Sequence, residues 1–112
     1  YTHAEEDKMS KFPITRETLA QVAPKLAALS EEVLFGDIWQ RSELSPRDRS
    51  LITVSALVAL SRTEQLPYHL QLAEKNGLSG SEITELITHL AFYSGWPTAA
   101  SALTVFAQLT LE

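Results

Sequence analysis

The stretch "LSPRDRSLITVSALVALS", residues 44–61, decides the fold class. Ser45 has a side-chain oxygen suited to an N-cap, and Pro46, which lacks an N–H, suits the first helical position. Asp48 follows three residues after the cap, near the positive end of the helix dipole. The apolar run that follows, residues 51–60, is broken only by Thr53 and Ser55. A strand reading fails on the length of that run and on the proline-led cap, so the stretch predicts a helix ending near Ser61 and buried nearly all round.

Working outward, the same signals recur. A helix over about 64–75 stops at Asn76-Gly77, where glycine suits a left-handed C-cap. Ser79 and Glu82 have capping-box spacing, and Ile83, Leu86, Ile87, Leu90 and Ala91 then recur at helical period. Gly95 ends that helix and Pro97 opens the last one. The apolar residues of the last helix, Ala99, Ala100, Ala102, Leu103, Val105, Phe106, Leu109 and Leu111, occupy too many faces for one small core, so it is expected to pack against another subunit. Toward the N-terminus, Thr15 caps a helix to about Leu29 that Pro24 should kink or split. Ser30, Glu31 and Glu32 begin another, carrying Val33, Leu34, Ile38 and Trp39, with Gly36 inside it. Residues 1–12 read as a flexible lead-in and 13–112 as a single domain. The prediction is an all-α protein of about six helices with short connections.

The chain has 112 residues, a formal net charge of −5, and no Lys or Arg from Asn76 to Glu112. That balance argues against a nucleic-acid surface, which needs clustered cations. No apolar run approaches a membrane span, and the expectation is a soluble, cytoplasmic protein without a membrane partner. With no cysteine in the chain, thiol chemistry and Cys-ligated zinc are excluded from it.

His69 stands among Leu66, Leu70 and Ala73, near the inward face of its helix. An imidazole there is either a core residue or, in an open site, a group able to move protons near neutral pH. His3 and His89 offer it no ligand spacing, so no metal site is expected, and His89 reads as structural. Arg47, Arg49 and Arg62 are either solvated helix ends or, for one of them, a bidentate clamp on a carboxylate. The aromatics Trp39, Tyr68, Phe92, Tyr93 and Trp96 read as core or interface, or as walls of a small apolar pocket. No phosphate-binding glycine loop and no nucleophile elbow is present.

The segments "FGDIWQRSELSPRDRSLITVSALVAL" and "HLQLAEKNGLSGSEITELITHLAFYSGWPTAASAL" together resemble the carboxymuconolactone decarboxylase family over about residues 33–107. The most specific parts are RDRSLIT, the His-x3-Ala-x3-Gly pattern from His69 to Gly77, and the turn from Tyr93 to Pro97. The resemblance implies a helical subunit assembled into trimers or hexamers. The AhpD-like thiol branch of the superfamily carries Cys-x-x-Cys before the histidine and a glutamate upstream. Arg62, Gln65 and Ser50 stand at those positions here, which excludes its peroxidase chemistry.

The remaining branch is similar to the 4-carboxymuconolactone decarboxylases of protocatechuate breakdown, which use no cofactor. The resemblance then implies a small carboxylated lactone as substrate and His69 as proton donor. Arg49 or Arg62 is expected to bind charge, with Trp39 and Tyr93 excluding water. Two alternatives remain at this level: a non-catalytic oligomer that keeps the fold, or a cofactor-free enzyme on another small oxo-acid or lactone.

Overall fold

The computed structural model describes residues 14–111, so the predicted lead-in lies outside the described residues. The described residues form α1 (Arg16–Val22), α2 (Pro24–Leu29), α3 (Pro46–Ala59), α4 (Leu66–Lys75), α5 (Gly80–Leu90) and α6 (Trp96–Thr110). No strand is present among them. None of these helices is long and apolar enough to cross a membrane.

The chain divides into two compact units, Tyr1–Glu43 and Leu44–Glu112. In the first, the Thr15 side chain accepts a hydrogen bond from the Thr18 N–H and starts α1. The split expected at proline occurs there, with Ala23 ending α1 and Pro24 opening α2. The next predicted helix takes two other forms: a wide π-helical turn over Ser30–Phe35 and a 3-10 turn over Ile38–Gln40. Gly36 closes the wide turn at a point where a Cβ would lie 2.6 Å from the Glu31 carbonyl oxygen, so only glycine fits without moving backbone.

The second unit holds a four-helix core. The Ser45 hydroxyl accepts the Asp48 N–H at 3.0 Å, with Pro46 at the first position of α3. The helix ends by a Schellman arrangement in which the Arg62 N–H donates to the Leu57 carbonyl and the Ser61 N–H to that of Val58. Ser61, at φ 58°, takes the left-handed position usually given to glycine. Helix α4 starts two residues later than predicted, at Leu66, with Pro67 in its first turn, where the missing N–H has no partner to lose. It ends at Asn76, and Gly77 at φ 106° reverses the chain as expected. Ser79 and Glu82 form a complete capping box at the start of α5.

Helices α3 and α6 each pack against the other three helices of this unit. The core joins Val54 and Val58 of α3, Leu66, Leu70 and Ala73 of α4, Ile83, Leu86 and Ile87 of α5, and Ala99 and Ala102 of α6, with Leu78 in the α4–α5 connection. Each fully buried Leu or Ile contributes about 1.5–3 kcal/mol relative to exposure. One sequence expectation is corrected here. Helix α3 is buried along Ser50, Val54 and Val58 alone, while Ile52 is 55 % and Leu60 65 % exposed. Three neighbours in one small unit cannot surround a helix.

Candidate functional site

His69 lies in the first half of α4, between the buried Leu66 and Leu70, and is itself half-buried. Its Nδ1 is withdrawn from solvent. The Tyr68 ring meets the imidazole edge-on, with centroids 5.0 Å apart. Burial disfavours the charged form and holds the His69 pKa below 6.5, so the imidazole is neutral at pH 7.

Helix α3, which packs against α4, carries Arg49 in its first turn. Arg49 is half-buried, with its Nε withdrawn from solvent, and its carbonyl accepts a hydrogen bond from the Thr53 hydroxyl at 2.7 Å. The neighbouring Ser50 is fully buried and accepts a hydrogen bond from the Asn76 side-chain amide at 3.0 Å. This bond ties the first turn of α3 to the end of α4 and fixes how the two helices are set along one another.

The other sequence-predicted residues lie elsewhere. Arg62 is exposed in the α3–α4 connection and lines a small polar pocket of about 150 Å³ with Ser61, Thr63, Glu64 and Gln65. Trp39 belongs to the N-terminal unit, where its ring stacks on Phe35 at 5.9 Å. Tyr93, in the α5–α6 connection, is 78 % exposed and stacks on His89 at 4.9 Å and 24°. The structure thus sets His69 and Arg49 on adjoining helices and ties Arg62 to the same connection, while the partner of Tyr93 is His89.

A groove of about 440 Å³ between α3 and α5 went unnoticed in the sequence. Leu51, Leu78, Leu86 and Leu90 contribute its apolar lining, and Arg47, Ser55, Glu82, Glu85 and His89 its polar groups. Arg47 is paired with Glu82 and lies 3.8 Å from Asp48. The Ser79 backbone hydrogen bond and the nearby Arg47 charge together hold the Glu82 carboxyl below its usual pKa. Two stripes carried the signal, Arg47, Leu51 and Ser55 at steps of four, and Glu82, Leu86 and Leu90 likewise. Each looks like an ordinary helix face until the helices are placed side by side. A third hollow, of about 300 Å³, lies within the N-terminal unit and includes Arg16, Leu19 and Phe35.

The family model for the carboxymuconolactone decarboxylase family matches residues 24–108, which include all six of α3, α4, His69, Arg49, Arg62 and Tyr93. The chain belongs to the carboxymuconolactone decarboxylase family. Among its relatives is the 4-carboxymuconolactone decarboxylase of Acinetobacter baylyi (strain ATCC 33305 / BD413 / ADP1), 38 % identical over 69 residues, covering 62 % of this chain and 52 % of that protein. Another is the nitrosuccinic acid decarboxylase npaB of Metarhizium robertsii (strain ARSEF 23 / ATCC MYA-3075), 34 % identical over 77 residues, covering 69 % of this chain and 54 % of that protein. The chain therefore spans about half the length of these relatives. This member of the family contains no cysteine.

Proposed function

We propose that this chain is a cofactor-free carboxy-lyase acting on a small carboxylated lactone or a related acid. The observation that carries the reading is His69, a half-buried imidazole in α4, packed beside the helix that presents Arg49, in a chain of this family. The names of the two relatives share one chemistry. A carboxylate is lost next to a group, an unsaturated lactone or a nitro group, that can hold the electron pair left by the departing carbon dioxide.

In the proposed reaction the carbon–carboxylate bond breaks and its electrons pass into that neighbouring group as an extended enolate or nitronate. Arg49, or Arg62 from the α3–α4 connection, binds a carboxylate or the developing oxyanion. Imidazolium at His69 then delivers its proton to carbon and is recharged from water. Burial keeps His69 neutral in the free protein at pH 7, but an anion held beside it favours the imidazolium, so substrate binding takes up a proton. The remaining roles are shielding the reaction from water, for Tyr93, and assembly of the subunits into a homo-oligomer, to which α6 offers exposed Leu103, Leu109 and Leu111.

Incubation of the full chain with 4-carboxymuconolactone, and in parallel with nitrosuccinate, should release carbon dioxide from at least one of them. The change His69→Gln is expected to lower kcat by about 10²–10⁴-fold, the usual worth of a positioned acid. Because the acid form is required, kcat/KM should fall as pH rises through a value below 6.5. Full turnover by the His69→Gln protein would remove His69 from the mechanism.

A second reading, a non-catalytic member that keeps the fold, draws on the fact that none of the three hollows described above includes His69. No carbon dioxide from either acid, at any pH between 5 and 8 (roughly the range over which histidine titrates), would favour it.

A further inference from the structure

Asn76 is the only asparagine of the chain, and a glycine follows it. An Asn-Gly pair is open to self-modification, because glycine has no β-carbon to shield its nitrogen from the neighbouring side-chain amide. The fold cannot dispense with that glycine: Gly77 stands at φ 106°, where a β-carbon is strained, and its turn ends α4. The half-buried Asn76 amide donates through Nδ2 to the fully buried Ser50 hydroxyl of α3 at 3.0 Å. The Gly77 N–H donates to the Glu74 carbonyl at 3.1 Å.

We infer that Asn76 is a deamidation site and that Ser50 is the residue that keeps it unreacted in the folded protein. In the reaction the Gly77 nitrogen gives up its proton to solvent and bonds to the Asn76 Cγ. The Cγ–Nδ2 bond breaks, and the departing amide nitrogen takes up a proton and leaves as ammonia. Water then opens the five-membered imide at either of its carbonyl carbons, which returns the Gly77 N–H and yields aspartate or isoaspartate. No oxidant, reductant or cofactor enters the balance.

The folded geometry opposes each step. Ring closure requires the Gly77 nitrogen to eclipse the Asn76 β-carbon, whereas at ψ 5° it eclipses the Asn76 nitrogen instead. The Gly77 proton is engaged by the Glu74 carbonyl, and the carbon to be attacked belongs to the amide that Ser50 pins. The first two restraints accompany the helix end itself and are lost when that end frays. The Ser50 bond reaches across to α3, so the amide is released only when the two helices part. An isoaspartate would route the main chain through its β-carbon, lengthening the path to Leu78, which is buried in the core. The modification would thus detach the end of α4 from its packing.

Because the chain has a single asparagine, the test is direct. The full chain is incubated at mildly alkaline pH, and peptide mapping by mass spectrometry follows aspartate and isoaspartate at position 76. In urea the parent should react at least about tenfold faster than when folded, since the closed state is then lost. Ser50→Ala removes the acceptor without adding volume and should raise the folded-state rate about three- to tenfold, the worth of a hydrogen bond in the opening equilibrium. Ser50→Cys, close in shape but a weaker acceptor, should fall between Ser50→Ala and the parent. Ile87→Val, which thins the core on α5 and leaves the Asn76–Ser50 bond in place, should change the rate little. Equal rates in the folded and urea-unfolded parent, no acceleration in either Ser50 variant, or an equal acceleration in Ile87→Val would each overturn the inference. None of these outcomes depends on turnover, so the inference stands or falls separately from the decarboxylase reading.

Discussion

Ser61 shows how one residue departs from local preference to complete an element. It holds a left-handed backbone, φ 58°, at the position that closes α3, where a β-carbon costs about 1–2 kcal/mol relative to glycine. Ser61→Gly should therefore stabilise the protein by up to about 1 kcal/mol and raise Tm by a few degrees in a thermal melt. His69 carries the opposite kind of strain, a titratable ring in a half-buried place. Its apolar neighbours Leu66, Leu70 and Ala73 were legible from helical spacing, and all three are buried. Its degree of burial was not, because that depends on how closely the adjoining helix approaches.

At the scale of elements, the termini were the most readable features. Ser45 with Pro46, Ser79 with Glu82, and Gly77 all act as local chemistry requires, since a cap joins groups within three or four residues. Ser79→Ala should lower stability by about 1 kcal/mol in urea unfolding, because the Glu82 N–H loses its acceptor. Glu82 does a second task that the capping pattern does not announce, pairing with Arg47 across to the start of α3. The segment over Ser30–Gln40 was read as a helix and is instead a π-helical turn followed by a 3-10 turn. The composition of that segment favours helix in general, whereas the wide turn brings the Glu31 and Glu32 carbonyls so close to Gly36 that a residue with a Cβ would not fit there.

For the whole molecule, stability should decline with acid in two windows. His69 has a folded-state pKa below 6.5, so the unfolded chain binds more protons, and stability is lost as pH falls from 6.5 toward the folded value. Glu82 has a folded-state pKa below 4.5; the stability it contributes is present above 4.5 and is lost as pH falls through the folded value. Denaturant midpoints measured between pH 7.5 and pH 5 should slope downward in the parent chain and less so in His69→Gln (a range chosen to span the ordinary histidine pKa of about 6.5). Below pH 4.5, Glu82→Gln should flatten the remaining slope.

Helix periods, caps and breakers are written in neighbouring residues, and they were enough for an all-α chain and the order of its main helices, while the family was legible as a resemblance carried by RDRSLIT and the His69–Gly77 pattern. So was the loss of thiol chemistry, which follows from having no cysteine. Only the packed structure decided that α3 buries one stripe, that Tyr93 stacks on His89, and that α3 and α5 enclose a groove. The physical reason is range. A helix and its ends are settled by interactions over a few residues, whereas a groove or a ring stack needs two segments brought together by the burial of a shared core.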